Sequence, residues 1–488
     1  MKKWLCLLGL VGQMLMPVWA NDLPDFGNPA DAILNKSREG QLGRSVMLEL
    51  RNAGVIVDDP LLNEYVQSIG ADIASHANNG SHRFRFFVID DPQINAFAMP
   101  GGYIGLHTGL ILASENESEL AGVLAHEVSH VTQRHIARSL YDAQRTSIMS
   151  MAAMLAAVLL GAATDMPGDA LAGVVSASQA AALQRQINFT RAHEHEADRV
   201  GIEVLAAAGY DPHAMATFFE KISRRYGFAG RDVPAILQTH PVTSARIAEA
   251  RDRARRLPQN RHENSISYEL AKARIAVLAG EDPRAALRSF ESRPDQDSPA
   301  VRYGKGLALA VLGRHDEAER IFAELVSENP GVIAYRIGLG EALAASGAEE
   351  QALDVYADAV RLFPRNVPLT ISYAEALLEA GRPAEAHRLL LDLLNNVPPT
   401  PPQIRLIARA ANAEGDTLNA YYYMGEYYVS IGNLPLAINQ LHLALELPDA
   451  HAVDRARINA RLEELVEYLP EEQRGEALQR RTGGRPRQ

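Results

Sequence analysis

The sequence has almost no cysteine. Its single cysteine, Cys6, lies in an apolar stretch near the start of the chain, shortly after Lys2 and Lys3. A basic start, a short apolar run and small residues at its end predict a signal peptide at residues 1–20, cleaved after Ala20, and therefore export. The chain after this segment then has no thiol. It forms no disulfide, and any metal site in it must use nitrogen and oxygen ligands.

The sequence also lacks an excess of positive charge and a long apolar run. Its 48 Lys and Arg residues are outnumbered by 60 Asp and Glu residues, and the net charge of −12 argues against general nucleic-acid binding. Residues 148–163 are nearly all apolar, yet they fall short of the roughly 20 residues that a membrane-spanning helix needs. Three interpretations stay open: a buried or amphipathic helix, a mobile lid beside an active site, and a patch that contacts membrane or substrate.

The second half of the chain repeats itself every 34 residues. Each unit carries a glycine, an alanine and a proline in fixed register, in three series: Gly313, Gly347 and Gly381; Ala318, Ala352 and Ala386; Pro330, Pro364 and Pro398. The glycine ends the first helix of a unit, the small alanine lets the second helix pack closely, and the proline blocks its continuation. This period is typical of tetratricopeptide repeats, which stack into a curved solenoid.

Two stretches in the first half of the chain predict a small sheet. The stretch RFRFFVID (83–90) alternates apolar and basic residues and then turns apolar, as a strand does. The stretch NAFAMPGGYIGLHTGLI (95–111) follows, with a tight turn at residues 100–102 between two short strands.

A helix is expected directly after these strands. Its start fits either of two capping pairs, Ser114 with Glu117 or Asn116 with Glu119, and the pattern does not choose between them. We predict that this helix runs to about residue 140.

The predicted helix carries an H-E-x-x-H motif within AGVLAHEVSHVTQRH (121–135). His126 and His130 lie on one face of a helix, so both imidazoles can bind one ion, and Glu127 can reach a water on that ion. His135 is nine residues after His126, about half a turn out of phase, and we predict that it faces away from the site. Two histidines leave a catalytic zinc one protein ligand short, so another segment must supply the third.

The stretch RAHEHEADRVG (191–201) is the best source of that third ligand. It also reads as a helix with Glu194 and Asp198 on one face, so Glu194 could reach the metal while Asp198 orients a histidine ligand. Two facing helices of this kind define the glutamate-zincin arrangement. By chemistry alone, three neighbours remain rival ligands: His193, His195 and Glu196.

Three motifs together resemble the membrane-associated zinc metallopeptidases that include HtpX and the CAAX prenyl proteases: NAFAMPGG, LAHEVSHV and HEADRVG. The resemblance implies that His126, His130 and Glu194 are the ligands of one Zn²⁺ per chain, and it favours Glu194 over its rivals. It also implies that Glu127 is the general base and that Asp198 is the second acidic residue of the site.

The stretch QTHPVTSAR (238–246) resembles a further element of the same family and implies that His240 and Arg246 lie near the metal. His240 would then either stabilise the transition state or occupy the open metal position and hold the enzyme inactive. The competing interpretation is an ordinary loop histidine that caps a helix.

With the signal peptide and the repeats, the resemblance implies a periplasmic zinc metalloendopeptidase and chaperone. It would assist the assembly of outer-membrane β-barrel proteins and degrade misassembled ones. Misfolded or stalled β-barrel proteins would be the substrates, bound as an added strand at the sheet edge. The β-barrel assembly machinery would be a partner of the repeats, and a peripheral membrane contact stays open. The alternative function is a repeat-based scaffold or chaperone with a silent or rarely used zinc site.

The expected fold is mainly α. Because 488 residues exceed the size of a single core, we predict separate domains. An α+β zincin-like metallopeptidase domain with a small sheet is expected at residues 21–265, and an α-solenoid of tetratricopeptide repeats at 266–480. Residues 481–488 are expected to form a disordered tail.

Overall fold

A computed structural model describes residues 33–77, 82–143, 191–226, 233–280, 282–448 and 450–469 of the chain. The predicted signal peptide, the apolar stretch 148–163 and the predicted tail lie outside these ranges. Among the residues that are described, no helix combines the length and the apolar character that crossing a membrane requires.

The first half of the chain forms a small sheet surrounded by helices. In chain order its elements are α1 (Lys36–Asn52), α2 (Pro60–His76), β1 (Arg85–Ile89), β2 (Ala96–Met99), β3 (Tyr103–His107), α3 (Thr108–Ala113), α4 (Glu117–Thr132), α5 (His135–Ala143), α6 (Arg191–Ala207), α7 (Ala214–Tyr226), α8 (Ala235–Thr239) and α9 (Ser244–Ala254).

The sheet has the strand order β1-β3-β2, which confirms both predicted strand segments. β3 lies in the centre, parallel to β1 and antiparallel to β2, with Tyr103 opposite Arg85 on one side and Met99 on the other. The β2–β3 turn uses Gly101 and Gly102, both at φ 81°, a left-handed conformation that glycine adopts without strain. Because β2 comes last in the strand order, it is an edge strand of this sheet within the described ranges.

The helix α4 is the central element of this half. Its first turn is capped by Asn116, whose side chain accepts a hydrogen bond of 2.9 Å from the backbone N–H of Glu119, so the second of the two capping registers is correct. Every residue from Glu117 to Val131 is buried, because α4 packs against α2, α6, α7 and β2. A polar side chain on this helix must therefore find its partners inside the protein.

The helix α4 ends earlier than predicted. It stops at Thr132, and Arg134 adopts a left-handed conformation with φ 55°, after which α5 starts at His135. The guanidinium of Arg134 holds this turn by donating to the carbonyl of Leu34 at 2.8 Å and to the carboxylate of Glu39 at 2.9 Å. The prediction of one continuous helix to residue 140 is wrong, because these distant partners stabilise a break that the local sequence does not indicate.

The second half of the chain is entirely helical where it is described. Its helices are α10 (Ile266–Leu278), α11 (Pro283–Glu291), α12 (Pro299–Val311), α13 (His315–Glu328), α14 (Ile333–Ala345), α15 (Glu349–Leu362), α16 (Val367–Glu379), α17 (Pro383–Asn396), α18 (Pro401–Glu414), α19 (Thr417–Ser430), α20 (Leu434–Glu446) and α21 (Ala452–Glu467). Consecutive helices pack against each other, as in a repeat solenoid.

The repeat series have the structural roles that the sequence predicts. Gly313, Gly347 and Gly381 all adopt left-handed φ angles, between 70° and 87°, in the turns between paired helices. The alanines of the second series are fully buried where those helices cross: Ala318, Ala352 and Ala386. The structure thus has the predicted architecture, mainly helical with a small sheet in the first half and a solenoid of paired helices in the second.

The helix α2 contacts the solenoid at two points. At its start, Asp59 accepts a 2.7 Å hydrogen bond from the Nε of Arg274 on α10. Further along, Glu64 accepts a 2.8 Å hydrogen bond from the side-chain amide of Asn366, at the start of α16. Leu61, between these two residues, packs against two apolar clusters of the solenoid. The same helix packs against α4, so it links the solenoid to the centre of the first half.

Candidate metal centre

Four side chains from three segments converge in the interior of the first half. His126 and His130 come from α4, Glu194 from α6, and His240 from the residue that ends α8. Each of the four is at most 2% exposed. The backbone N–H of His240 closes α8 by donating to the carbonyl of Ile236 at 2.8 Å, while its ring enters the group. His240 is therefore both a helix-ending residue and a member of the cluster.

The nitrogen and oxygen atoms of the group lie close enough together to be ligands of one ion. The Nε2 atoms of His126 and His130 are 3.0 Å apart; the first is 3.5 Å from Oε2 of Glu194 and the second 3.5 Å from Oε1. The Nδ1 atom of His240 is 3.3 Å from the Nε2 of His126 and 3.1 Å from the carboxylate of Glu194. Four ligands at about 2.0–2.1 Å from a tetrahedral zinc ion lie about 3.3–3.4 Å from one another. The group could therefore hold one zinc ion.

Glu127 lies beside this group with its carboxylate unsatisfied. Both of its carboxylate oxygens are buried and make no hydrogen bond with any described residue, and its Oε1 is 3.5 Å from the Nε2 of His240. Buried carboxylate oxygens without a partner are rare in folded proteins. Such a carboxylate is suited to accept a hydrogen bond or a proton from a small molecule that enters the site.

Asp198 and Arg246 lie next to the first histidine. The Oδ1 of Asp198 lies 3.0 Å from the Nδ1 of His126, and the other ring nitrogen of that histidine faces the group. Arg246 donates to both oxygens of Asp198, at 2.7 and 2.8 Å, and its Nη1 lies 2.8 Å from the carboxylate of Glu194. One buried guanidinium thus neutralises part of the charge of two buried carboxylates.

The charges of these groups displace their pKa values. Burial would lower the pKa of His126, but the Asp198 and Glu194 carboxylates beside it raise that pKa to about 10. Burial, together with the charge on His126, holds the pKa of His130 well below its ordinary value. Burial would raise the pKa of Glu194, but His240 and the hydrogen bond with His126 hold it well below the ordinary range. In the metal-free cluster the Glu194 carboxylate is thus ionised and His130 neutral, the forms that bind metals, whereas His126 must release a proton when a metal binds.

The three rival ligands contribute no atom to the group. The ring of His193 stacks on that of His135 with centroids 4.5 Å apart, and the Nδ1 of His195 lies 2.9 Å from the carboxylate of Glu249. Glu196 accepts a 2.8 Å hydrogen bond from Arg138. All three side chains therefore have partners that direct them away from the four-residue group.

The prediction that His135 faces away from the site is wrong. His135 is fully buried, and its Nδ1 lies 2.8 Å from the Nδ1 of His130. The half-turn argument assumed one helix through both residues, but the left-handed turn at Arg134 resets the helical phase. Arginine is not a residue type that commonly occupies this conformation, so the sequence contains no local signal for the turn.

Comparison with known proteins gives two kinds of match. Residues 60–254 match the sequence profile of peptidase family M48, and residues 270–333, 303–367 and 343–410 match profiles of tetratricopeptide repeats. The first match contains every residue of the four-residue group, together with Glu127, Asp198 and Arg246.

Several bacterial proteins are similar over most of the chain. A Vibrio cholerae relative is 42% identical over 314 residues, which are 63% of this chain and 64% of that protein. The β-barrel assembly-enhancing protease of Escherichia coli K12 is 38% identical over 317 residues, 64% of each chain. The protein of the same name from Yersinia pestis is 36% identical over 330 residues, 67% of each chain. The matched region thus spans somewhat less than two thirds of the first two relatives.

Proposed function

This chain belongs to peptidase family M48, and we propose that it is a zinc endopeptidase with the four-residue group as its metal site. The observation that carries this proposal is the convergence of four buried nitrogen and oxygen ligand atoms beside the carboxylate of Glu127, which makes no hydrogen bond with the described residues. His126, His130 and Glu194 would hold one Zn²⁺ as the protein's permanent ligands. A bound zinc ion supplies Lewis acidity, which polarises a scissile carbonyl and makes a water molecule more acidic.

We assign the proton transfers to Glu127. Its carboxylate is fully buried, makes no hydrogen bond with the described residues and adjoins the position of the reacting groups. It would accept a proton from the attacking water and deliver it to the amine that leaves. Asp198 would keep the Nδ1 proton of His126 in place, so that the Nε2 lone pair of this histidine points to the metal, and Arg246 would hold Asp198.

We propose that His240 closes the site in the described conformation. Its Nδ1 takes the fourth position of the tetrahedron, and its Nε2 faces the carboxylate of Glu127 at 3.5 Å. One ring would thereby block both the position for the substrate carbonyl and the general base. Cleavage would require that α8 and the residues after it move away from the metal site.

The edge strand β2 supports a way of binding substrate. Next to it, the carbonyl of Ile94 accepts a 3.2 Å hydrogen bond from the backbone N–H of Ile236, in the helix that His240 ends. Movement of α8 would release this carbonyl together with the metal site. An extended peptide could then add to the edge strand through main-chain hydrogen bonds, which read backbone more than side chains.

We further propose the domain boundaries and the cellular role that the sequence predicts. Residues 1–20 would direct the chain to the periplasm, residues 21–265 would form the peptidase domain, and residues 266–480 the repeat domain. The name of two relatives supports a role in β-barrel assembly. Misassembled outer-membrane proteins would be the substrates, and the assembly machinery would be a partner of the repeats. A chaperone role of the repeats is a second candidate function, favoured by a metal site that is closed by His240.

The test is casein cleavage and self-cleavage by Glu127→Gln, made both in the natural chain and in a His240→Ala chain. We expect His240→Ala to increase cleavage, because it opens the fourth position and frees Glu127. Glu127→Gln should lower cleavage by about 10²–10⁴-fold in either chain, the usual effect of losing a general base. Glu203→Gln, an exposed change of the same type on α6, is the control.

Two results would contradict these assignments. Undiminished cleavage by Glu127→Gln that a metal chelator does not inhibit would exclude the peptidase function. Loss of cleavage in His240→Ala would give His240 a role in stabilising the transition state instead of closing the site. If Glu127→Gln abolishes cleavage but β-barrel assembly is still assisted in cells, the chaperone role is a separate function.

A further inference from the structure

The two histidines of α4 are held at their outer nitrogens in different ways. The Nδ1 of His126 lies 3.0 Å from the carboxylate of Asp198. The Nδ1 of His130 lies 2.8 Å from another imidazole nitrogen, the Nδ1 of His135. A metal-binding histidine usually donates its second N–H to an oxygen acceptor, and this bond sets its tautomer and orientation. At His130 the acceptor is a second ring.

The proton positions in His130 and His135 follow from which ring nitrogens must donate and which must accept. If the Nε2 of His130 offers its lone pair to a metal, the proton of that ring is on Nδ1 and must be donated. The Nδ1 of His135 must then accept it, so the proton of His135 is on its Nε2. That nitrogen lies 3.2 Å from the carboxylate of Glu196, an acceptor of the right kind. Each of the four imidazole nitrogens of His130 and His135 is thus assigned one role. For His130, Nε2 is the metal ligand and Nδ1 the donor; for His135, Nδ1 is the acceptor and Nε2 the donor to Glu196.

The surrounding structure holds the chain of hydrogen bonds in place. His135 is fully buried at the start of α5, where the left-handed turn at Arg134 has put it. The ring of His193 covers it in a nearly parallel stack, with an interplanar angle of 14°. The Nη1 of Arg138 donates to Glu196 at 2.8 Å and so fixes the final acceptor. The arrangement connects α4 with α6, the two helices that supply three of the four candidate ligands.

We propose that His135 and Glu196 are positioning residues, which fix the Nδ1-protonated form of His130 and thereby preorganise its Nε2 for Zn²⁺. This inference rests on the zinc site proposed above. Neither residue touches the metal. Their effect is on metal affinity, where loss of such an indirect contact typically weakens binding by about 10–100-fold.

The experiment measures the affinity of the full chain for Zn²⁺ alone, by competition with a chromogenic chelator, in two substitutions of His135. Phenylalanine fills the volume and stacks on His193, but it has no acceptor for His130. Asparagine is smaller and does not stack, but its amide oxygen can accept the proton of His130. We expect His135→Phe to bind Zn²⁺ about 10–100-fold more weakly than the natural chain, and His135→Asn to recover most of the loss.

Thermal unfolding without metal separates this role from a packing role. If His135 only fills space, His135→Phe should keep both stability and Zn²⁺ affinity, and His135→Asn should lose both. The proposed role predicts the opposite order for affinity. His195→Phe is the matched control, because it removes another histidine–carboxylate pair next to Glu194, one that is 40% exposed and does not reach the metal group.

Glu196→Gln tests the same series of hydrogen bonds at its final acceptor. This variant still decides the question if His135→Phe does not fold. The Glu196 side chain is 27% exposed, so the substitution is mild for the fold. A weaker Zn²⁺ affinity, by at most about tenfold, is expected because His135 loses a charged acceptor. Unchanged affinity in Glu196→Gln overturns the proposal. If the natural chain itself does not bind Zn²⁺, the proposed function fails instead.

Discussion

The candidate metal centre and the repeat solenoid differ in the polarity of their buried side chains. In the solenoid, apolar side chains of one unit fill the gap left by small residues of the next: the ring of Phe322 lies against Gly306 and Gly338, and Ala352 is fully buried. Charged residues of the solenoid pair mostly at its surface. In the metal centre, by contrast, the buried side chains are imidazoles, carboxylates and a guanidinium. A region of this kind is destabilised when a buried charge loses its partner.

The largest difference between the two regions should appear when an arginine is replaced by methionine. Arg246→Met leaves the buried carboxylates of Asp198 and Glu194 without their cation, and we expect a loss of about 3–5 kcal/mol in the free energy of unfolding. Arg302→Met in the solenoid removes a cation from Glu324 and Glu328, whose side chains are 66% and 49% exposed. That change should cost at most about 1 kcal/mol.

Urea unfolding of both variants without metal, followed by circular dichroism, measures the two losses. Equal losses would mean that the buried charges of the metal centre are already solvated or neutral, and the contrast between the regions would then be wrong.

Zinc should stabilise one region and leave the other unchanged. At a free Zn²⁺ concentration of one hundred times the dissociation constant, the folded state gains about 2.7 kcal/mol. Hydrogen exchange read peptide by peptide should show this gain in α4 and α6, and none in the solenoid from α12 to α17, since each repeat contacts mainly its neighbours. Protection that extends equally through the repeats would show that the solenoid and the metal site unfold as one unit.

The same contrast explains what could be predicted from the sequence. The repeats are predictable because each one depends on residues within its own 34-residue period, such as Gly347 and Ala352. The convergence of His126 and His130 is predictable because the two residues share one helical face. The position of His135 is not predictable, since it depends on contacts of Arg134 with Leu34 and Glu39, about 100 residues away in sequence. The direction of the His240 ring is likewise set by tertiary packing and not by any local pattern.

Two left-handed turns, one in each region, give a further comparison. Gly347 has φ 87° and open space where a Cβ would be, so Gly347→Ala adds only the backbone cost of the left-handed conformation, about 1–2 kcal/mol. Arg134 already bears that cost at φ 55°, offset by its side-chain hydrogen bonds. Arg134→Ala removes these bonds and keeps the strain, so the turn should relax and His135 should lose its alignment with His130.

We therefore expect Gly347→Ala to lower the unfolding midpoint without changing Zn²⁺ affinity, whereas Arg134→Ala lowers both. The loss of affinity in Arg134→Ala should be smaller than in His135→Phe, because the acceptor is displaced and not removed. Chelator competition and thermal unfolding of the two alanine variants, side by side, measure this. An Arg134→Ala chain with natural Zn²⁺ affinity would mean that the buried contacts of His135 with His130, His193 and Glu196 hold it in position without the turn.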